Sequence, residues 1–181
     1  MLPAALFLLT GQYFFVEAQP GLEAGEEPAL GEALGIEAGV GGAWGQTRPR
    51  FFLVTRYEHA DIAHDGAGFH SDRSYDDISA GLRLLLPVAG PFRIYGDALG
   101  GSTVAHAALD RMGLPSLDAE HFRPLFQLAV GAQFRLSPNF SLGLRFQESF
   151  LDDSPDLLAT AIGEHLDPTR TSLALTVGVH F

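Results

Sequence analysis

The sequence contains no cysteine and no lysine, although 11 of its 181 residues are basic. The absence of cysteine excludes disulfides, thiol redox chemistry and thiolate zinc sites. The 22 acidic residues outnumber the basic ones, all of which are arginine, and the formal net charge is -11. Because a nucleic-acid-binding surface needs an excess of positive charge, we expect no nucleic-acid partner.

A long apolar run is also missing. A transmembrane helix needs about 18 to 20 consecutive apolar residues. The best stretches are Met1–Leu9, which is too short, and Ile78–Val88, which Arg83 and Pro87 interrupt. Hydrophobic residues nevertheless make up 46% of the chain. A membrane location would therefore require a β-barrel or a peripheral protein.

Residues 1–10 have the apolar character of a secretory leader but lack the positive residues that normally precede one. The sequence Val16-Glu17-Ala18 is compatible with a signal-peptidase site, whereas the rival interpretation makes residues 11–18 the first strand. We interpret 1–10 as an apolar leader or signal-peptide remnant and 11–181 as one domain.

Alternation with period 2 is the strongest pattern, and it is clearest at the C-terminus. The odd positions from Leu173 to Phe181 are all apolar, whereas the even positions are small or polar. The same two-faced pattern recurs in residues 34–40, 78–86, 126–136 and 140–146. It is less regular in 51–60 and 92–103, and weakest in 13–18. Alternation of this kind predicts strands with one apolar face.

The connections between these segments alternate in length. Residues 46–50, 89–91 and 137–139 are short, whereas 19–28, 61–76, 107–121 and 152–169 are long. This layout is typical of an outer-membrane barrel with short periplasmic turns and long extracellular loops. An even strand number needs residues 11–18 as strand 1, which disfavours cleavage after Ala18. We predict an all-β, eight-stranded antiparallel up-and-down transmembrane barrel.

The charges on the polar face indicate which face is inside. They are nearly balanced in sign, as a barrel interior filled by ion pairs requires. We predict lumen ion pairs among Glu37, Arg56, Glu58, Arg83, Arg93, Asp97, Arg135 and Arg145. A soluble lipocalin-like barrel, with its apolar face inside, is the alternative.

Aromatic residues lie near the predicted strand ends, as the interfacial girdles of a membrane barrel do. The girdle at the short turns would comprise Trp44, Phe51, Phe92, Phe134, Phe140 and Phe181. The other girdle would comprise Tyr57, Tyr75, Phe122, Phe126 and Phe150.

The last strand resembles the C-terminal signal by which bacterial outer-membrane barrels are recognised for insertion. Its residues are Leu175, Val177, Val179 and the terminal Phe181. The layout of residues 11–181 resembles the small eight-stranded barrels of the OmpA/OmpX type. That resemblance implies a bacterial outer-membrane location and the barrel-insertion machinery as a partner. It transfers no functional residue, because such barrels are defined by architecture.

Taken with the strand ends next to them, as residues 19–28, 59–77, 105–121 and 148–169, the long loops hold 17 of the 22 acidic residues and two arginines, so that this end carries about -15. Such a rim should attract divalent cations and share them with lipopolysaccharide and other anionic outer-membrane lipids. Imidazole and carboxylate groups that can ligate Zn or Cu cluster there, although their spacing matches no strong metal motif. The weak metal candidates are His59, His64, His70, Asp61, Asp65 and Asp72.

Catalytic chemistry has less support in the sequence. His70 and Ser71 are adjacent and would point apart in a strand, whereas Ser149 or Ser154 would need to meet His165, with Asp153 or Asp156 orienting it. No nucleotide-binding motif occurs, and we expect no cofactor. Ser154 and Pro155 could begin a short helix with an apolar stripe in the last long loop.

We therefore expect a monomeric, non-enzymatic outer-membrane protein whose acidic extracellular loops mediate surface, lipopolysaccharide or partner interactions. Two alternatives remain at this point. One is an enzyme that modifies outer-membrane lipid, as an acyl hydrolase or transferase. The other is a narrow channel or carrier for small hydrophobic solutes.

Overall fold

Eight antiparallel strands close into one barrel in the computed structural model, which describes residues 12–24, 30–42, 49–66, 69–111, 117–152 and 169–181. The strands are β1 (Gln12–Ala24), β2 (Leu30–Gly42), β3 (Arg50–Gly66), β4 (Phe69–Ala89), β5 (Phe92–Arg111), β6 (Leu117–Arg135), β7 (Phe140–Leu151) and β8 (Thr169–His180). Each strand pairs with the next, and β1 pairs with β8. The predicted up-and-down barrel is confirmed.

The barrel is apolar outside and polar inside. On β4, Ile78 faces outward and is 64% exposed, whereas Arg83 faces inward and is 1% exposed. The same contrast holds along the other strands, where the exposed large side chains are apolar and most fully buried ones are polar or charged. In water, the apolar side chains would be buried and the polar ones exposed. The observed arrangement therefore suits a barrel that is surrounded by lipid. The lipocalin-like alternative is therefore wrong.

Strand lengths divide the barrel wall into a short and a long half. Strands β1, β2, β7 and β8 have 12 or 13 residues. Strands β3 to β6 have 17, 21, 20 and 19. At ~3.3 Å per residue and a tilt of ~40°, 12 residues rise ~30 Å, close to one bilayer, and 20 residues rise ~50 Å. The long half therefore extends ~20 Å past the membrane on one side.

This extension corrects the predicted long loops. Within the predicted loop 61–76, β3 continues to Gly66 and β4 begins at Phe69. Within the predicted loop 107–121, β5 continues to Arg111 and β6 begins at Leu117. Strand β1 likewise runs through the predicted loop residues 19–24. The strands can continue beyond the lipid without apolar side chains, because the hydrogen bonds between neighbouring strands pair their backbone N–H and C=O groups.

The short connections lie at the opposite end, which we call the turn end. Residues 90–91 join β4 to β5, and Gly90 takes a φ of +53°, the left-handed conformation that glycine adopts readily. Residues 136–139 join β6 to β7, where the Ser137 hydroxyl accepts a hydrogen bond from the Phe140 amide at 3.1 Å.

Several expectations fall outside the described residues, namely the leader at 1–10, Trp44 and the Ser154-Pro155 helix. Ala18 lies mid-strand, where it pairs with Ile36 of β2 and Val177 of β8. No helix in the described ranges is long and apolar enough to cross a bilayer.

Candidate functional site

Arg83 is the centre of the charge network that fills the lumen. Its Nε and Nη2 donate to Asp97 Oδ1 and Oδ2, each at 2.8 Å, and its Nη1 donates to Glu17 Oε2 at 3.0 Å. Glu37 also contacts this guanidinium. The three carboxylates come from β1, β2 and β5, so that one side chain of β4 links four strands across the interior.

A second arginine completes this layer. Arg145 Nη1 donates to Glu37 Oε2 at 2.6 Å and lies 2.9 Å from Asp97 Oδ2. Arg56 pairs with Glu58 one level above, and Gln147 Nε2 donates to Glu58 Oε1 at 3.2 Å. Of the eight residues predicted to form lumen ion pairs, Glu37, Arg56, Glu58, Arg83, Asp97 and Arg145 meet here, and all six are buried.

The lumen has another charged layer toward the end opposite the turn end, which we call the long-strand end. Arg170 Nη2 donates to Asp77 Oδ2 at 2.7 Å, and its Nη1 lies 2.9 Å from Glu23 Oε1. Tyr75 stacks on this guanidinium, with its ring centroid 4.2 Å from Cζ. Tyr75 is thus a lumen residue and not a girdle residue, since it shares the inward face of β4 with Asp77.

This layer also corrects the predicted rim charge. Glu23 and Asp77 lay in segments interpreted as acidic outer loops, but both are buried and paired with Arg170. Ser149, a weak catalytic candidate from the same end, is inside as well, where Gln127 and Gln147 donate to its hydroxyl.

An apolar cluster lies next to Arg83 in the lumen. It comprises Phe15, Phe52, Val54, Leu85, Tyr95 and Leu99. Arg83 Cζ lies 3.9 Å from the Tyr95 ring centroid and 4.9 Å from that of Phe15, within cation–π range. These inward apolar residues explain why the alternation on β3 and β5 looked less regular in the sequence.

On the outer wall, the apolar band runs from Phe51 to Tyr57 on β3 and from Ile78 to Val88 on β4. His59 and Asp76 are the first outward residues beyond it and pair directly in the β3–β4 register. His59 Nδ1 lies 2.9 Å from Asp76 Oδ1, which also accepts the Tyr57 hydroxyl at 2.6 Å. These contacts form a polar cluster above the membrane-spanning part of the barrel.

Two further groups join this cluster. His59 Nε2 lies 3.2 Å from Asp61 Oδ2, and His106 Nε2 of β5 lies 3.8 Å from Asp76 Oδ2. The hydrogen bond to Asp76, aided by the Asp61 charge, raises the pKa of His59. Hydrogen bonds from Tyr57 and His59 lower the pKa of Asp76. At the centre of the cluster, therefore, His59 and Asp76 form a partly exposed His–carboxylate pair above the apolar band.

The predicted metal candidates are only partly brought together. His59 and Asp61 touch, whereas the side chains of His64, Asp65 and His70 lie outside what the structure describes. Asp72 is exposed on β4. In the described part of the chain, no three His, Asp or Glu side chains form a group that could hold a metal ion.

The remaining predicted lumen residues, Arg93 and Arg135, lie at the turn end. Together with Arg50 they line a cavity that also contacts Arg83, Glu17 and His180. His180 Nε2 lies 2.8 Å from the Ser141 hydroxyl. Arg93 and Arg135 were predicted to face the lumen, whereas Arg50 was not, because it precedes the predicted strand 51–60 and alternation is a poor guide at a strand end.

Most catalytic candidates of the long-strand end lie outside what the structure describes. His70 and Ser71 have no described side chains, and residues 153–168, which include Ser154 and His165, also lie outside the described ranges. The described Ser–His contact, Ser141 with His180, is at the turn end instead.

Comparison with known proteins agrees on the fold. No protein-family model matches the chain, and no curated protein sequence matches it. Among solved structures, a major outer membrane protein from Thermus thermophilus has a TM-score of 0.64 at 16% identity, covering 94% of this chain and 100% of that one. Ail, the attachment invasion locus protein of Yersinia pestis, has 0.58 at 15% identity, covering 94% and 99%. Neisserial surface protein A has 0.55 at 16% identity, covering 94% and 96%.

The apolar outer wall, the ion-paired lumen and these matches define the class of the protein. It has the fold of the small eight-stranded outer-membrane β-barrels, and this fold, with its apolar wall, is one that spans a bacterial outer membrane.

Proposed function

We propose that this protein is a non-enzymatic barrel whose projecting acidic rim contacts lipopolysaccharide through shared divalent cations. The observation that carries the proposal is the charge of the outward face above the apolar band, on β3 to β6 and at the start of β2. The outward carboxylates there are Glu32, Asp61, Asp72, Asp76 and Glu120. The described outward side chains of this extension include no arginine.

Register brings these groups into one surface. Glu32 is the direct partner of Asp61 across β2 and β3, and Glu120 is the direct partner of His106 across β5 and β6. A row of carboxylates raises the local concentration of divalent cations. Hard cations such as Ca²⁺ and Mg²⁺ take carboxylate and phosphate oxygens together, which suits the phosphates of lipopolysaccharide at the same height.

The lumen supports a scaffold role for the barrel. An eight-stranded barrel is just wide enough for side chains to fill it, and here two layers of ion pairs and an apolar cluster occupy the interior. This filling disfavours the channel alternative. It leaves the rim as the part of the molecule that is available to a partner.

The enzyme alternative has weaker support. A serine nucleophile needs a histidine that accepts its proton and a carboxylate that stabilises the resulting charge. His180, the partner of Ser141, is instead surrounded by Arg50, Arg83, Arg93 and Arg135, whose charges oppose a further proton.

The test is binding of purified protein in nanodiscs to lipopolysaccharide, with and without Mg²⁺. We expect Mg²⁺-dependent binding that EDTA removes and that D61N/D72N/E120Q weakens by at least about tenfold. His106→Gln, a neutral change on the same surface, is the control and should bind like the wild type. Binding that neither EDTA nor the triple variant alters would contradict the proposal.

A contrasting ligand sharpens this test. Ail has been crystallised with a heparin analogue, sucrose octasulfate. An acidic rim repels a polysulfate, so we expect the present protein not to bind sucrose octasulfate in the absence of divalent cations.

A further inference from the structure

Gln19 is a buried side chain whose amide makes no hydrogen bond within the part of the chain that the structure describes. It faces the lumen from β1, between Glu17 of the central charged layer and Glu23 of the layer around Arg170. Gln19 is 0% exposed, and both its Oε1 and its Nε2 lack a partner there. Buried polar groups in native proteins are hydrogen-bonded, commonly to ordered water where no protein group is in reach. Gln19 therefore needs a ligand that can donate and accept hydrogen bonds.

Other glutamines of the lumen show what Gln19 is missing. Gln127, Gln133 and Gln147 are also buried, and each donates to a carboxylate of another strand. The lumen thus supplies partners to buried amides in general. The difference at Gln19 must lie in its immediate surroundings.

The neighbours of Gln19 on the two adjacent strands explain the difference. Its register partner on β2 is Gly35, which has no side chain to offer. On β8, the register of Ala18 with Val177 places Thr176 beside it. The Thr176 hydroxyl lies over Gly143 of β7, because a Cβ built there would be 2.6 Å from Thr176 Oγ1. Neither neighbour therefore directs a polar group at the Gln19 amide.

Gly35 leaves a hollow beside this amide. A Cβ at position 35 would lie 3.3 Å from Gln19 Oε1 and 3.4 Å from Glu58 Oε2. Both are close to ordinary contact distances, so the space that a side chain would take is bordered by an amide of β1 and a carboxylate of β3. A polar space of atomic size with two or more hydrogen-bonding neighbours is what a buried water requires.

We propose that this hollow is a binding site for an ordered water, held by the Gln19 amide and the Glu58 carboxylate over Gly35. Water both donates and accepts, so that it satisfies the amide and adds a donor to the carboxylate. An ion suits the hollow less. Glu58 would repel an anion, and Arg56, which pairs with Glu58, would repel a cation.

A water at this place joins the two charged layers of the lumen. Glu17 and Glu23 belong to one layer each, and Gln19 lies between them on the inward face of β1. The water thereby completes a hydrogen-bonded interior between the layers. The proposal concerns the inside of the barrel and does not depend on the function of the acidic rim.

The experiment is an NMR measurement on the full chain, ¹⁵N-labelled and folded in deuterated detergent micelles. We expect cross-peaks between water and the Gln19 side-chain amide protons, with opposite signs in NOE and ROE spectra, as a bound water gives and chemical exchange does not. Gly35→Ala should reduce them to the noise level, because its methyl group takes the space of the water. Gly96→Ala is the matched control and should keep them, since a methyl there meets nothing closer than 3.8 Å.

A second variant separates bound water from a relayed signal. The hydroxyl proton of Thr176 exchanges with water and, from the neighbouring strand, offers an indirect path to Gln19. We expect Thr176→Val to retain the cross-peaks, because the proposed water does not depend on this hydroxyl. Their loss in folded Thr176→Val would assign the signal to the hydroxyl and overturn the proposal.

Stability gives an independent readout. The hydroxyl group of Gly35→Ser can replace the hydrogen bonds of the water, whereas the methyl group of Gly35→Ala cannot. We expect the folded-to-unfolded ratio of Gly35→Ser to be at least about fivefold that of Gly35→Ala, measured by urea titration in lipid vesicles. No water cross-peak at Gln19 in the wild type, cross-peaks that survive in folded Gly35→Ala, or equal stability of the two Gly35 variants would overturn the proposal. If neither Gly35 variant folds, the spectra of the wild type and Thr176→Val decide.

Discussion

Arg83 and Asp97 are direct partners in the β4–β5 register and form a two-point ion pair inside the barrel, with Nε–Oδ1 and Nη2–Oδ2 both at 2.8 Å. Two parallel hydrogen bonds fix the guanidinium plane. Its remaining donors then point toward Glu17 and Glu37, on the far side of the lumen. The Arg83–Asp97 pair, formed between neighbouring strands, thereby orients the contacts that Arg83 makes across the lumen.

Breaking this pair should be costly. Removing one partner of a buried ion pair costs about 3 to 5 kcal/mol, because the other charge stays buried. We expect Arg83→Gln and Asp97→Asn each to lower the free energy of unfolding by this order, measured by urea titration in lipid vesicles. The double variant should lose at least about 1 kcal/mol less than the sum of the two single losses. Strictly additive losses would show that the two residues do not interact.

Glycine spacing in the lumen gives a second prediction. A methyl group on Gly131 would overlap the Tyr95 ring, which stacks on Arg83. Gly131→Ala should therefore cost about 1 to 3 kcal/mol of unfolding free energy. At Gly100, on the outward face, an added methyl meets nothing within 4 Å. Gly100→Ala is the matched control, and a loss there as large as at Gly131 would contradict this account of the packing.

The rim pair should titrate in a defined direction. Because Asp76 raises the pKa of His59, the stabilisation from protonated His59 is present below about pH 6.5 and is lost as pH rises through the raised pKa. Because the pKa of Asp76 is lowered, its contribution is present above about pH 4 and is lost as pH falls through the lowered pKa.

An NMR titration checks this prediction. The His59 ring should titrate above about 6.5 in the wild type and at a lower pH in Asp76→Asn. His106→Gln is the control, since its 3.8 Å contact is to Asp76 and not to His59. An unchanged His59 midpoint in Asp76→Asn would show that the two side chains do not pair in solution.

The C-terminal residue closes the barrel and carries the predicted insertion signal. The Phe181 amide donates to the Phe14 carbonyl at 2.9 Å, and its outward ring is 70% exposed. We expect Phe181→Ala to reduce the amount of folded barrel in the outer membrane, measured by heat-dependent gel mobility. Phe140→Ala, also outward at the turn end and 51% exposed, is the control. Equal losses would assign the effect to lipid contact instead of recognition.

The two-faced strands could be predicted from the sequence because alternation is a local property. It placed Ile78 outward and Arg83 inward on β4, as the structure has them. Alternation could not show where strands end, because the polar residues of an extended ladder and of a loop look alike. Asp61 and Asp76 were therefore assigned to a loop that is in fact strand.

A local sequence pattern cannot predict which side chains pair across the lumen. That Arg83 meets Glu17, 66 positions earlier, depends on the stagger by which the sheet closes, and a balance of charges fixes no particular pairing. The turn-end cavity was not predicted for a related reason, since Arg50 of β3 and His180 of β8 come together only when the barrel closes.

The absence of cysteine permits the most direct test of the account, which is labelling of single-cysteine variants in intact cells by a membrane-impermeant maleimide. The account places the acidic rim outside the cell and the turn end in the periplasm, with the apolar wall in lipid between them. Asp72→Cys should therefore label in intact cells, and Ala89→Cys only after the outer membrane is ruptured. Equal labelling of both variants in intact cells, or the reverse order, would contradict the account.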